Sequence, residues 1–231
     1  MVNSLSKRSK YETLNSFTYL NQASIGLISK NSIYSMKNFL DEIAQHGNAK
    51  MSDREEIELL TPLRKIASDL FNCSTKNLAI VFSASDILNQ LPYLFNIKEN
   101  SKIILVGSDF PALYRPWIAY SKVSNINLVF VDDKKEQNLT DTIIDEIDQT
   151  TKFVVVSYVQ YSTGSMIDIF RLRNTTNKFG SKLIVDVTQA AGALPINFDK
   201  WKCDALICSG YKWLGGHGGV GIAALSNEII K

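Results

Sequence analysis

The sequence predicts an α/β fold, a mostly parallel sheet with helices on both faces. Three observations carry that expectation. Short apolar runs rich in β-branched residues recur at 78–82, 102–106, 127–131, 153–156, 183–187 and 205–208. Helix-periodic stretches alternate with them from residue 78 to residue 187, the pattern of strand–helix–strand units. The runs are also nearly continuous in apolar residues rather than alternating, so each needs cover on two faces, as strands of a parallel sheet do.

In chain order, Tyr19 to Ile28 leads into a helix starting near Ser29 or Asn31. Ile33, Met36, Leu40, Ile43 and Ala44 fall on one face at helical spacing, and that face is expected in the core. A second helix spans 54–72 with Ile57, Leu60, Leu63, Ile66, Ala67 and Leu70 inward, and Pro62 should kink it or mark an early break. The strand at 78–82 runs straight into Ser83, Ala84, Ser85 and Asp86, then a helix through Leu94. Small residues at a helix start expose several N–H groups at the positive end of the helix dipole, which suits a phosphate. The same residues also make an ordinary Ser/Asp cap.

The strand at 102–106 ends in Gly107, Ser108, Asp109, Phe110 and Pro111. Phe110 is either a packing anchor or a flat cover for a flat ligand. A strand at 127–131 and a helix at 140–149, with Ile143, Ile144 and Ile147 aligned, come next. The run at 153–156 ends in Ser157 to Gly164, and a helix at 168–179 leads into the strand that carries Asp186.

Most of the chemically suggestive residues lie between Leu183 and Ile222. Asp186 and Gln189 follow one apolar run, and Ser209, Gly210, Tyr211 and Lys212 follow the next. Ligands of open α/β sheets sit at the carboxyl ends of strands, so these groups are expected to converge on one crevice. An acid within an apolar strand is costly unless it is paired, and a lysine on a glycine-flanked turn can approach a ligand closely. Residues 216–221 match G-x-G-x-x-G, but the run at 220–225 reads as a strand, whereas a dinucleotide motif needs a helix there. Its glycines instead let backbone pass near the lysine loop, with His217 a loop residue.

Composition narrows the class. With 45% hydrophobic and 21% charged residues and a net charge of +2, the 231-residue chain is globular, with no call for nucleic acid or a membrane surface. The amino terminus has no apolar segment of a secretory signal, and no run is long enough to span a bilayer. Cys73, Cys203 and Cys208 lack C-x-x-C spacing, which fits a reducing cytoplasm and positions in or beside the core. His46 and His217 are too little material for a zinc site, so no metal is expected.

D-x-x-Q at Asp186–Gln189, followed by S-G-Y-K-W-x-G-G from Ser209, resembles aminotransferase class V, the fold-type I pyridoxal phosphate (PLP) enzymes. That group includes cysteine desulfurases, selenocysteine lyases, kynureninases and isopenicillin N epimerase-like proteins. The resemblance implies pyridoxal 5'-phosphate as cofactor, with catalytic Lys212 forming the internal aldimine and Asp186 opposite the pyridinium nitrogen. It places Ala84, Ser85 and Ser209 at the phosphate, Phe110 over the ring and Gln189 at the phenolic oxygen. Tyr211 takes the position before the lysine where relatives have histidine or tyrosine, and Asn21 to Ile25 edge the substrate pocket. Two residues depart from the pattern: Ser83 stands where glycine is common, narrowing the phosphate turn, and Tyr161 stands for an asparagine near the cofactor. Neither Tyr161 nor Gln160 receives that role.

The implied organisation is a helical lead over 1–76 and a PLP-binding large domain over 77–231, with the small carboxyl-terminal domain absent. The arginine that grips the substrate carboxylate, and the loop cysteine of desulfurases, are expected beyond Lys231. The resemblance leaves two expectations. One is a cytoplasmic enzyme acting on an amino acid by desulfuration or lysis, transamination or epimerisation. The other is a non-catalytic or partner-dependent half. Either is expected as a homodimer or with a chain that supplies the missing half.

Overall fold

A computed structural model describes residues 7–133 and 137–230 of the chain. Four helices, α1 (Thr13–Ser16), α2 (Lys30–His46), α3 (Asp53–Glu58) and α4 (Thr61–Phe71), precede β1 (Leu78–Val81). Then come α5 (Ala84–Leu94), β2 (Lys102–Val106), α6 (Pro111–Ser121), β3 (Asn127–Val131), α7 (Leu139–Asp145) and β4 (Thr151–Ser157). The chain continues through α8 (Ile169–Phe179), β5 (Lys182–Asp186), α9 (Phe198–Trp201), β6 (Ala205–Ser209), β7 (Gly221–Leu225) and α10 (Asn227–Ile230).

The strands form one sheet in the order β1-β7-β6-β5-β4-β2-β3. All neighbours from β6 through β3 run parallel, while β7 is antiparallel to both β6 and β1. The predicted mostly parallel sheet is therefore present, with an antiparallel edge. In β5, Leu183, Ile184 and Val185 have no exposed surface, and each such side chain stabilises by roughly 1.5–3 kcal/mol. Ile184 faces a layer built on α5 and α6, where Trp117 is fully buried. Leu183 and Val185 face the other layer, built on α4, α7, α8 and α9.

Four expectations need correction. The apolar face of α2 is not core: no residue of that helix is buried, and Leu40 is 63% exposed. The helix expected over 54–72 is two helices, broken at Leu59 and Leu60, because Pro62 has no N–H to give and sits at the start of α4. Its inward face shrinks to Ala67 and Phe71 with Leu70 partly buried, whereas Ile57 and Ile66 are exposed. The helix expected over 140–149 ends at Asp145, although Ile147 stays buried beyond it. Residues 111–121, given no element by sequence, form α6, with Pro111 at its favourable first position and in spite of Pro116 inside. Its local signals contradict a helix, and burial of Leu113 and Trp117 outweighs them.

Candidate active site

The carboxyl ends of β2, β4, β5 and β6 open onto one cleft. Ser83, Ala84, Ser85, Phe110, Ser157 and Tyr161 line it. Asp186, Thr188, Gln189, Ser209, Tyr211 and Lys212 line it as well, so the residues expected to hold the cofactor all lie in it, whereas Asn21 to Ile25 do not line it. Register explains the convergence: Ser157 sits beside Asp186, Asp186 beside Ile207, and Ser209 beside Gly221 in successive ladders.

At the start of α5 the Ser83 hydroxyl accepts the Asp86 N–H at 3.1 Å, so Ser83 is a true cap. Its φ of −166° is extended backbone, which any residue adopts, so the turn has no need of glycine. The Ala84 N–H donates to Ser209 Oγ at 2.8 Å, tying β6 to the helix start. That leaves the Ser85 N–H, the Ser85 hydroxyl and the Ser209 hydroxyl hydrogen beside the positive end of the dipole. Asn89 lies further along α5 on its exposed side, away from the cleft lining.

Asp186 and Lys212 are both only 7% exposed. Burial pushes the Asp186 carboxyl up to about 6, against the Thr188 N–H that it accepts at 2.7 Å. Burial likewise lowers the Lys212 ammonium, and Asp186 partly offsets that shift. Lys212 Nζ stands 5.5 Å from the centre of the Phe110 ring and 5.8 Å from that of Tyr211. Among the described residues it makes no ion pair. The result is a buried amine near a buried acid, with aromatic faces beside it. Thr188 also accepts the Ser209 N–H at 3.0 Å, so it braces both β5 and β6.

The loop after α1 is fastened to the lysine backbone. Gln22 Nε2 donates to the Lys212 carbonyl at 3.0 Å, and the Gly26 N–H donates to the Tyr211 carbonyl at 2.7 Å. A Cβ on Gly26 would lie 1.9 Å from the Lys212 oxygen, so only glycine permits this approach. His217 pairs through Nε2 with the Gly26 carbonyl at 2.8 Å, which makes it a fastener. Gln189 accepts from Trp213 Nε1 at 3.0 Å and donates to the Ala23 carbonyl at 3.1 Å. The segment from Asn21 to Ile25 thus borders the site through backbone and Gln22. Sequence reading reached Gln22 only as part of Asn21 to Ile25 and missed Gly26 and Thr188; the glycine that follows the N-Q-A-S string was the available signal.

The other wall also holds residues that sequence left unassigned. Gln160 is buried and turned to Asp109, to which it donates at 3.1 Å, so it does not line the cleft. Tyr161 does line it, half exposed, its ring packed edge-on against Phe110 with centres 5.5 Å apart. All three cysteines lie in or beside the core, and burial pushes the Cys73 thiol up to about 11 and that of Cys203 up to about 12.

The family model for aminotransferase class-V matches residues 18–231. The chain belongs to the aminotransferase class V family. A probable cysteine desulfurase of Mycoplasma pneumoniae is 25% identical over 194 residues, 82% of this chain and 47% of its own. Kynureninase of Saccharomyces cerevisiae is 26% identical over 228 residues, 88% of this chain and 50% of its own. A solved C-DES mutant with glycine covalently linked to its PLP cofactor matches with a TM-score of 0.88 at 17% identity, covering 97% of this chain and 60% of that one. Cysteine desulfurase CsdA of Escherichia coli matches at 0.83 and 19%, covering 96% and 57%. This class V chain therefore spans about half the length of those curated relatives and about three fifths of those solved chains.

The cleft of the class V chain has the donor set that PLP requires. It offers an amine for an aldehyde, an anion for a ring nitrogen, helix-start donors for a phosphate and an aromatic face for a ring.

Proposed function

We propose that this chain is the PLP-binding part of an enzyme acting on an amino acid, with Lys212 as the residue joined covalently to the cofactor. The observation that carries this reading is the burial of Lys212 and Asp186 together at the ends of adjacent strand loops, beside a helix start free to take a phosphate. Asp186 would face the ring nitrogen, Ser85 and Ser209 the phosphate, with Ala84 presenting backbone beside them. Phe110 would cover the ring, Gln189 would give its second amide hydrogen to the phenolic oxygen, and Tyr211 would wall the aldehyde side. When bound, PLP supplies an electron sink for charge developing at the substrate Cα.

The protein's own work is to hold and move protons. Burial favours the neutral Lys212 amine, the form that can take the Cα proton. Desulfuration or lysis, transamination and epimerisation all begin with that transfer. A second reading, a non-catalytic or partner-dependent half, is favoured by the exposed apolar face of α2, which would be covered by a second copy or by a chain completing the substrate site.

Purified protein incubated with PLP should turn yellow, and borohydride should fix the cofactor on the Lys212 peptide. Lys212→Ala should fold and carry no adduct. A wild-type chain that stays colourless and unmodified, or a Lys212→Ala protein labelled at one other lysine, would overturn the assignment. Turnover of amino acids by the isolated chain would decide between the two readings.

A further inference from the structure

We propose that Asp109 is a positioning residue that fastens the loops after β2 and β4 together, holding Phe110 and Tyr161 beside Lys212 from behind the cleft lining. The strand order supplies the reason a fastener is needed. β2 and β4 are parallel neighbours, yet the chain leaves them toward opposite layers, β2 into α6 and β4 toward α8. Loops that diverge in this way open the crevice that ligands use. Each loop also carries one aromatic wall, Phe110 after β2 and Tyr161 after β4.

Asp109 bridges the divergence. Its Oδ1 accepts the Phe110 N–H at 2.7 Å and the Ser157 hydroxyl at 2.6 Å. Its Oδ2 accepts the Ser157 N–H at 2.8 Å and Gln160 Nε2 at 3.1 Å. Four donors converge on a carboxylate only 2% exposed, and no cation pairs with it among the described residues. Burying an anion this deeply is unfavourable, and burial does raise the Asp109 carboxyl above its ordinary range. Such a group persists where its geometry is over-determined by strong hydrogen bonds. Phe110 is fixed through its own N–H, and Tyr161 through the residue before it. Their rings then meet edge-on, and Lys212 Nζ lies over the Phe110 face.

Asparagine at this position has the same shape, but its amide nitrogen would face the donors of Ser157 and Gln160. The wall after β4 would then lose its anchor. Gln160 Oε1 is buried without a partner, which suggests the repair. In the exchange Asp109→Asn with Gln160→Glu, the new carboxylate can accept from the new amide.

This inference rests on the PLP reading for its consequence but not for its test. In cofactor-free protein, acetylation of Lys212 by acetic anhydride and nitration of Tyr161 by tetranitromethane would be quantified by peptide mass spectrometry against all other lysines and tyrosines. Asp109→Asn should raise the Lys212 signal several-fold over the other lysines, with a smaller rise at the already half-exposed Tyr161, and the double exchange should return both toward wild type. PLP affinity, followed by absorbance, should fall about tenfold in the single variant and recover in the double, the scale of a lost hydrogen bond to a charged group. If Asp109→Asn does not fold, Gln160→Leu removes the longest of the four bonds, together with the Gln160 donation to the Ser157 carbonyl, and should give a smaller rise at Tyr161. Unchanged reactivity, a uniform rise at every buried lysine and tyrosine, or no recovery in the double exchange would overturn the proposal. A wild type that does not bind PLP would instead overturn the cofactor reading and leave the labelling result to decide Asp109.

Discussion

Asp186 gives the clearest handle at the scale of single residues. Its carboxyl is raised to about 6 from an ordinary 3.8, chiefly by burial. In cofactor-free protein the native state therefore keeps a proton that the unfolded chain has already released. The stability tied to this group is full below the unfolded value and is lost as pH rises through about 6. Asp186→Asn still accepts from Thr188 but cannot ionise, so its stability relative to wild type should improve by about 2–3 kcal/mol between roughly pH 4 and pH 7.5. Paired thermal melts at the two pH values check this, and an offset that does not change with pH would contradict the buried carboxyl. Asp186 and Lys212 were legible in sequence because each ends an apolar run, a local signal. Asp109 was not, because its partners Ser157 and Gln160 come from another strand.

Among elements, the loop from Asn21 to Leu27 matters most to the site, since it holds the backbone of Lys212 from a distance of 190 residues in the chain. Gly26→Ala would drive a methyl group into the Lys212 carbonyl. The loop should detach, at a cost of about 1–3 kcal/mol. Limited proteolysis should then cut near residues 17–27, and borohydride trapping on Lys212 should decline, while the same substitution at Gly47, strained by its φ of 56° but with open space around it at the end of α2, should not affect trapping. Strands were read from sequence almost to the residue because apolar runs between polar ends leave little choice. Helices fared less well where cover comes from elsewhere: α2 has a helical stripe, but nothing among the described residues buries it. α6 was hidden by Pro116, whose local preference is outweighed by Trp117 in the core. Likewise Gly26 reads as loop until the lysine backbone is beside it.

For the molecule as a whole, Tyr34, Met36, Phe39, Leu40 and Ile43 on α2, together with Ile57, Leu59 and Ile66 on α3, α4 and the turn between them, are exposed. Apolar surface of this extent is seldom left open in a monomer. The isolated chain should self-associate, and Leu40→Glu with Ile43→Glu should shift it toward monomer in size-exclusion chromatography with light scattering. A wild-type monomer with robust turnover of amino acids would remove the partner-dependent reading. The edge position of β1 has a consequence for how the protein is made. Among the described residues its one ladder is with β7, so Leu78 must wait for Ala224. At ribosomal speeds that delay is on the order of ten seconds, during which an apolar strand dangles without a neighbour. The Ala84–Ser209 bond that seats the start of α5 belongs to the same closure. During synthesis, the phosphate end of the cleft thus waits for β6 and β7, since Ala84 emerges 125 residues before Ser209, and the nascent chain is open to chaperones or misfolding until β7 arrives.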